Sequence, residues 1–143
     1  MRIADLLRVK GATVATVTPG TTVTELLAGL ARHNVGAMVV VTPEGGIAGI
    51  VSERDVVRRI NDHGPTVLAG PVADIMTKLV ASATPEDSVD QLSVLMTERR
   101  IRHVPVLDGG RLVGIVSIGD VVKSRIERLE QSQEQLVAYI AQG

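Results

Sequence analysis

The stretch Ile47-Ala-Gly-Ile-Val-Ser-Glu-Arg-Asp-Val-Val57 returns later in the chain as Leu112-Val-Gly-Ile-Val-Ser-Ile-Gly-Asp-Val-Val122. Gly, Ile, Val, Ser, Asp, Val and Val coincide, seven of eleven positions. Two more blocks match in the same order at nearly the same offset. Val17-Thr-Pro-Gly-Thr-Thr-Val23 matches Ala83-Thr-Pro-Glu-Asp-Ser-Val89, and Ile3-Ala-Asp-Leu-Leu7 matches Val72-Ala-Asp-Ile-Met76. Three ordered matches make chance a poor explanation, so the 143-residue chain reads as a tandem repeat.

Both copies have the same element order. A short amphipathic helix (Ile3 to Val9; Val72 to Lys78) leads to a brief strand (Thr13 to Val17; Leu79 to Ala83). A turn at Pro19 or Pro85 opens a helix (Val23 to His33; Val89 to Arg99). Thr22 with Glu25, and Ser88 with Gln91, have capping-box spacing at its start. Two strands follow, Ala37 to Val41 and Ile47 to Val51, joined through Gly45-Gly46. Their counterparts His103 to Leu107 and Arg111 to Val116 turn at Asp108-Gly109-Gly110. A last helix closes each copy. The boundaries are 1–62 for the first repeat, 63–71 for a Gly/Pro-containing link and 72–126 for the second. An extended helix over 118–143 continues from the second repeat. The fold class is α+β. Apolar runs such as Met38-Val-Val-Val41 suggest strands covered on both faces, which two three-stranded sheets packed sheet to sheet about a pseudo-twofold would provide.

Composition narrows the function. With no Phe or Trp and a single Tyr, the core must be aliphatic. A net charge of −1 and the missing aromatic platform argue against nucleic acid as a partner. Cysteine is absent, which removes disulfides, thiolate catalysis and cysteine-based zinc sites. His33, His63 and His103 are scattered, with no second ligand at metal spacing, so no metal is expected. The start lacks the apolar core of a signal peptide and no apolar run reaches membrane-spanning length. A cytoplasmic protein without a membrane partner is the expectation. No catalytic triad, nucleophile elbow, dinucleotide fingerprint or phosphate loop with its lysine is present.

The paired elements Gly49-Ile-Val-Ser52-Glu-Arg-Asp55 and Gly114-Ile-Val-Ser117-Ile-Gly-Asp120, in register with two whole repeats, resemble the cystathionine-β-synthase-type (CBS) domain family. The resemblance covers Ile3 to about Ile126. It implies a CBS pair, or Bateman module, whose cleft between repeats binds AMP, ADP or ATP, and in some members NAD(H) or S-adenosylmethionine. On the family pattern Asp55 and Asp120 would accept from ribose hydroxyls, and Ser52 and Ser117 would touch ribose or phosphate. Thr16 and Ser82 would meet base or sugar. Arg102, His103 and Arg54 would face phosphate. Apart from the family pattern, with no aromatics available the base would lie between aliphatic walls such as Met38, Val51, Val104 or Val116. The physics agrees: a carboxylate is a strong acceptor for vicinal hydroxyls, a helix N-terminus favours phosphate, and arginine presents a planar fork. Repeat one has Gly36-Ala37 where repeat two has Arg102-His103, so one good site and one poor one are expected. No cofactor is required beyond that ligand.

Plainer readings stand beside these. Ser-x-x-Asp is also an ordinary helix cap, and both roles can coexist. Arg102 and His103 follow Glu98-Arg99-Arg100, a basic helix end that complements the helix dipole. The alternatives to a regulatory, non-enzymatic nucleotide sensor are a scaffold that binds nothing and an enzyme acting on a nucleotide.

From Ile118 the pattern stays helical to about Ala141, about 35 Å at the usual rise. Val122, Ile126, Leu129, Leu136 and Ile140, with Gln133, keep heptad spacing among polar neighbours. Such a helix outruns a small repeat. The expected partner is a second copy, giving a homodimer; the alternative is folding back on its own repeat. A regulated protein remains a further expected partner.

Overall fold

The computed structural model describes residues 1–11, 14–78 and 81–142. In chain order the elements are α1 (Ile3–Lys10), β1 (Thr16–Val17), α2 (Val23–His33), β2 (Ala37–Val41), β3 (Ile47–Ser52), α3 (Glu53–His63), α4 (Val89–Arg99), β4 (His103–Asp108), β5 (Arg111–Ser117) and α5 (Ile118–Gln142). Two short 3₁₀ turns, Pro65–Ala69 and Val72–Asp74, lie between α3 and α4. The mixed helix and strand class and the long last helix follow the expectation from sequence.

These elements form two compact units: Thr13–Ser82, and Met1–Ala12 together with Ala83–Gly143. The sequence repeat and the packing unit are therefore offset. Helix α1 leads the first repeat in sequence but packs in the unit of the second, and the segment after Pro71 packs in the unit of the first.

Backbone hydrogen bonding explains the exchange. The first N–H groups of a helix have no partner within it. At α2, Val23 N–H donates to Gly70 O (3.0 Å), while Val72 and Ala73 donate to Thr21 O (2.7 Å) and Pro19 O (3.0 Å). At α4, Val89 N–H donates to Met1 O (3.0 Å), while Ile3 and Ala4 donate to Asp87 O and Pro85 O, both 2.9 Å. The capping boxes read from sequence then close the same helix starts, with Glu25 N–H on Thr22 Oγ1 (3.1 Å) and Gln91 N–H on Ser88 Oγ (3.0 Å).

In the unit Thr13–Ser82 the sheet order is β1-β2-β3, with β1 parallel and β3 antiparallel to β2. Met38, Val40 and Val51 of this sheet join Val23, Leu26 and Leu30 of α2, Val56 of α3, and Val72 and Ile75 in one core. In the other unit β4 pairs antiparallel with β5. Val104, Val106 and Val116 pack there with Ile3, Leu6 and Leu7 of α1 and Leu92 and Met96 of α4. Four successive residues of β2, Ala37 to Val40, are buried, as its unbroken apolar run suggests. No helix among the described residues is long and apolar enough to cross a membrane.

Three sequence expectations change. The helix expected over Val72 to Lys78 is only the 3₁₀ turn Val72–Asp74, because Thr77 is drawn into a two-bond bridge with Ile50 (2.9 Å each way), which an α-helix could not reach. The strand expected over Leu79 to Ala83 falls partly outside the described residues; its end, Ala83, makes a single parallel bridge to Val106. The sheet of this unit is thus two-stranded with one bridge rather than three-stranded. The strand expected over Thr13 to Val17 is Thr16–Val17, with Thr13 outside the described residues.

The motif glycines answer to the exchanged segments. A Cβ on Gly49 would strike the carbonyl oxygen of Thr77, and one on Gly114 would lie 2.7 Å from Leu7 Cδ2. Neither position has the left-handed backbone that favours glycine; what they need is room. Gly49→Ala should cost about 2–3 kcal/mol, since a bridged backbone carbonyl cannot step aside, and Gly114→Ala about 1 kcal/mol, since a leucine side chain can turn. Urea unfolding midpoints of the two variants check the order. Equal costs would show that the leading segments yield alike.

Candidate functional site

The two Ser-x-x-Asp elements sit where a strand passes directly into a helix. Ser52 ends β3 and Ser117 ends β5; Glu53 and Ile118 begin α3 and α5. Each junction is pinned from the neighbouring strand's entry. Glu53 N–H donates to Gly36 O (3.0 Å) and Ile118 N–H to Arg102 O (2.8 Å).

Around Asp55, one carboxylate oxygen does all the capping work. Oδ2 accepts from Ser52 N–H (2.8 Å) and from the Ser52 hydroxyl (3.0 Å), and Asp55 N–H reaches back to Ser52 Oγ (3.3 Å). Among the described residues Oδ1 has no protein donor and Asp55 has no ion pair. Ser52 is in extended backbone, φ −123° and ψ 166°, as a helix-capping residue should be.

Asp120 repeats this cap, with Oδ2 accepting from Ser117 N–H (2.8 Å) and Asp120 N–H donating to Ser117 Oγ (3.1 Å). It also has what Asp55 lacks. The Lys10 ammonium, at the end of α1, lies 2.6 Å from Asp120 Oδ2 and 2.5 Å from Ile115 O. The pair is largely covered, with side-chain exposures of 32% for Lys10 and 24% for Asp120. Burial pushes the Asp120 carboxyl up. The hydrogen bonds from Lys10 and Ser117 and the lysine charge outweigh that and hold it below the ordinary carboxylate range. Met1, Leu6, Val9, Lys10, Asp120, Lys123, Ser124 and Glu127 line a groove of about 280 Å³ beside this pair. A second cavity, of about 310 Å³, is lined by Arg59, His63, Asp74 and the Pro65–Ala69 turn, and contains none of the residues singled out from sequence.

Of those residues, Ser52, Asp55 and the exposed Arg54 gather at the start of α3, with Thr16 exposed on β1 of the same unit. Ser117, Asp120, Arg102 and His103 gather at the start of α5, because His103 faces Ser117 across the β4–β5 ladder. Ser82 is exposed at the end of the unit that holds Asp55. The four apolar residues are buried. Met38 faces Val51 across β2–β3 and Val104 faces Val116 across β4–β5, and all four belong to the unit cores. Lys10 was missed from sequence because it stands 110 positions from Asp120. The available signal was a lysine in repeat one where repeat two, at the offset of the leading blocks, has Leu79.

Residues 5–62 and 72–127 each match the CBS domain. The chain belongs to the CBS-domain family and carries the domain in tandem. It is 39% identical over 150 aligned positions to the CBS domain-containing protein CBSX3, mitochondrial, of Arabidopsis thaliana, spanning 99% of this chain and 72% of that protein. Its fold matches the crystal structure of the CBS-domain containing protein ATU1752 from Agrobacterium tumefaciens, with a TM-score of 0.84, 43% identity and coverage of 87% and 99% of the two chains. The CBS domain pair of protein MJ0100, solved with 5′-methylthioadenosine and S-adenosyl-L-methionine, matches with a TM-score of 0.76 at 25% identity, over 93% of this chain and 98% of that one.

The Lys10–Asp120 pair makes stability depend on pH. A carboxylate whose folded pKa is depressed stabilises fully above its unfolded pKa of about 3.9, and the contribution disappears as pH falls through the lower folded value. Lys10→Met should therefore lower stability at pH 7 and flatten the loss between about pH 5 and the acid limit. Thermal unfolding of both proteins across that range measures it; parallel acid limbs would mean that the pair contributes nothing.

Proposed function

We propose that this chain is a regulatory, non-catalytic CBS pair that binds an adenosine-containing ligand at its Ser-x-x-Asp caps and works as a homodimer. The observation that carries the reading is the division of labour within each carboxylate. One oxygen completes the helix cap and the other is left without a protein donor among the described residues, at a helix N-terminus. A ribose diol offers the two donors such an oxygen lacks, and a charged acceptor makes the stronger bond. The MJ0100 pair, which holds two adenosine compounds, supports the class of ligand.

The two caps are unequal. Lys10 and Lys123 line the groove at the start of α5 together with Glu127, and the Arg102 backbone adjoins it, whereas Arg54 at the start of α3 is next to Glu53. A phosphate-bearing ligand, AMP, ADP or ATP, belongs at Asp120; Asp55 suits a ligand with little negative charge, such as S-adenosylmethionine. NAD(H) offers the same ribose chemistry. Thr16 and Ser82 are exposed to meet base or sugar, and His103 flanks the Asp120 cap. Because Met38, Val51, Val104 and Val116 are core residues, a base would meet them only where the core opens.

A second reading, a scaffold that binds nothing, draws on the fact that capping alone accounts for the hydrogen bonds to Asp55 among the described residues. Thermal unfolding against AMP, ADP, ATP, NADH and S-adenosylmethionine separates the two. A ligand at a hundred times its Kd should add about 2.7 kcal/mol, a shift of several degrees. Asp120→Asn keeps the acceptor geometry of the cap but removes the charge, and should weaken a phosphate-bearing ligand about tenfold or more. No shift with any compound, and Asn variants that differ only in stability, would establish the scaffold.

A further inference from the structure

Helix α5 has two faces and two halves. Its body-facing side carries Val121 and Ser124, both buried, and Arg128, whose guanidinium reaches Asp90 of α4 at 3.1 Å. Arg128 is the last residue so held: from Leu129 to Gln142 every residue is exposed. These fourteen residues, about 21 Å of helix, leave the body with no partner among the described residues. A helical segment of that length is marginal in water by itself, and this one carries Leu129, Leu136 and Ile140 at 59–66% exposure. With Val122, Ile126 and Gln133 they form one stripe, about 130° round the helix from the side that touches the body. A second helix could lie along that stripe without displacing α4 or α1.

We infer that the occupant is the α5 of a second copy, lying parallel and in register as a two-stranded coiled coil over residues 122–140. The inference rests on the dimer reading above and fixes its partner surface and direction. Ile126, Gln133 and Ile140 take the a positions of the heptad, and Val122, Leu129 and Leu136 the d positions. Gln133 decides the direction. In a parallel pair a faces a, so Gln133 meets the partner's Gln133 and each amide finds the other. In an antiparallel pair a faces d, and every d residue here is Val or Leu, which would leave a buried amide unpaired. The flanking charges agree. Arg125 at g and Glu130 at e are five residues apart, the g-to-e spacing that joins parallel helices, and a two-fold axis makes the contact twice. Neither residue has an ion pair within the chain among the described residues.

Because the chain has no cysteine, Gln133→Cys introduces a single thiol at the proposed self-contact. Mild copper-phenanthroline oxidation of this full-length variant at micromolar concentration should convert most of it to a covalent dimer, whereas Gln131→Cys on the outer face should stay single. Sedimentation of the unmodified chain should give a dimer. Glu130→Arg should weaken that dimer about tenfold, and Arg125→Glu combined with Glu130→Arg should restore it. A dimer in which Gln133→Cys does not cross-link overturns the parallel seam and leaves the dimer reading standing. A monomer at micromolar concentration overturns both. Nucleotide binding is scored separately by the ligand panel.

Discussion

The structure depends on how the first N–H groups of α2 and α4 are satisfied. These helices cannot bond their own leading amides, and in each unit the acceptor is a carbonyl just ahead of the other repeat's leading turn: Gly70 for Val23, and Met1 for Val89. Each leading segment returns two amides to the turn before the helix. A backbone exchange of this kind is tolerant of side-chain identity, which is how Ile3-Ala-Asp and Val72-Ala-Asp can dock in the same manner on Ser88-Val89 and Thr22-Val23. It also carries the core with it. Ile3, Leu6 and Leu7 complete one apolar cluster, and Val72 and Ile75 complete the other.

The motif glycines and the asymmetry of the caps both follow from that exchange. Docking brings Leu7 over Gly114 and the Thr77 carbonyl over Gly49, so a side chain at Gly49 would push the docked backbone away and one at Gly114 would force the Leu7 side chain to turn. The same docking delivers Lys10 to Asp120. At the start of α3, by contrast, Asp55 keeps a purely hydrogen-bonded cap among the described residues. One lysine in a leading segment thus changes the electrostatics of a junction built over a hundred residues away.

What could be read from sequence divides along the same line. Features set by local chemistry were legible: the capping boxes at Thr22 and Ser88, the hairpins at Gly45 and Gly109, the span of α5, and the Ser-x-x-Asp turns. Repetition made the family legible as well. Features set by long-range partners were not. The segment Val72 to Lys78 has helical periodicity, yet Thr77 gives its amide to Ile50, and a tertiary bridge overrides local propensity there. Met38, Val51, Val104 and Val116 flank the motif in sequence, and their cross-strand pairing within the unit cores is a long-range feature that the sequence does not display. The leading helix of the first repeat gave no local sign that it packs with the second.

Helix α5 joins the two surfaces argued for above. Its first turn holds Asp120 and the cap, its middle is held to α4 by Arg128, and its last fourteen residues are exposed. A ligand hydrogen-bonded at Asp120 would compete with, or add to, the Lys10 contact that ties α1 to that same first turn. An α-helix is stiff along its axis over this length, so a small rotation at the cap would be carried to the proposed seam and not absorbed by a loop. Binding can alter pairing only as far as ligand affinity differs between the two settings of the helix. The Lys10–Asp120 contact is the element whose making or breaking would distinguish them.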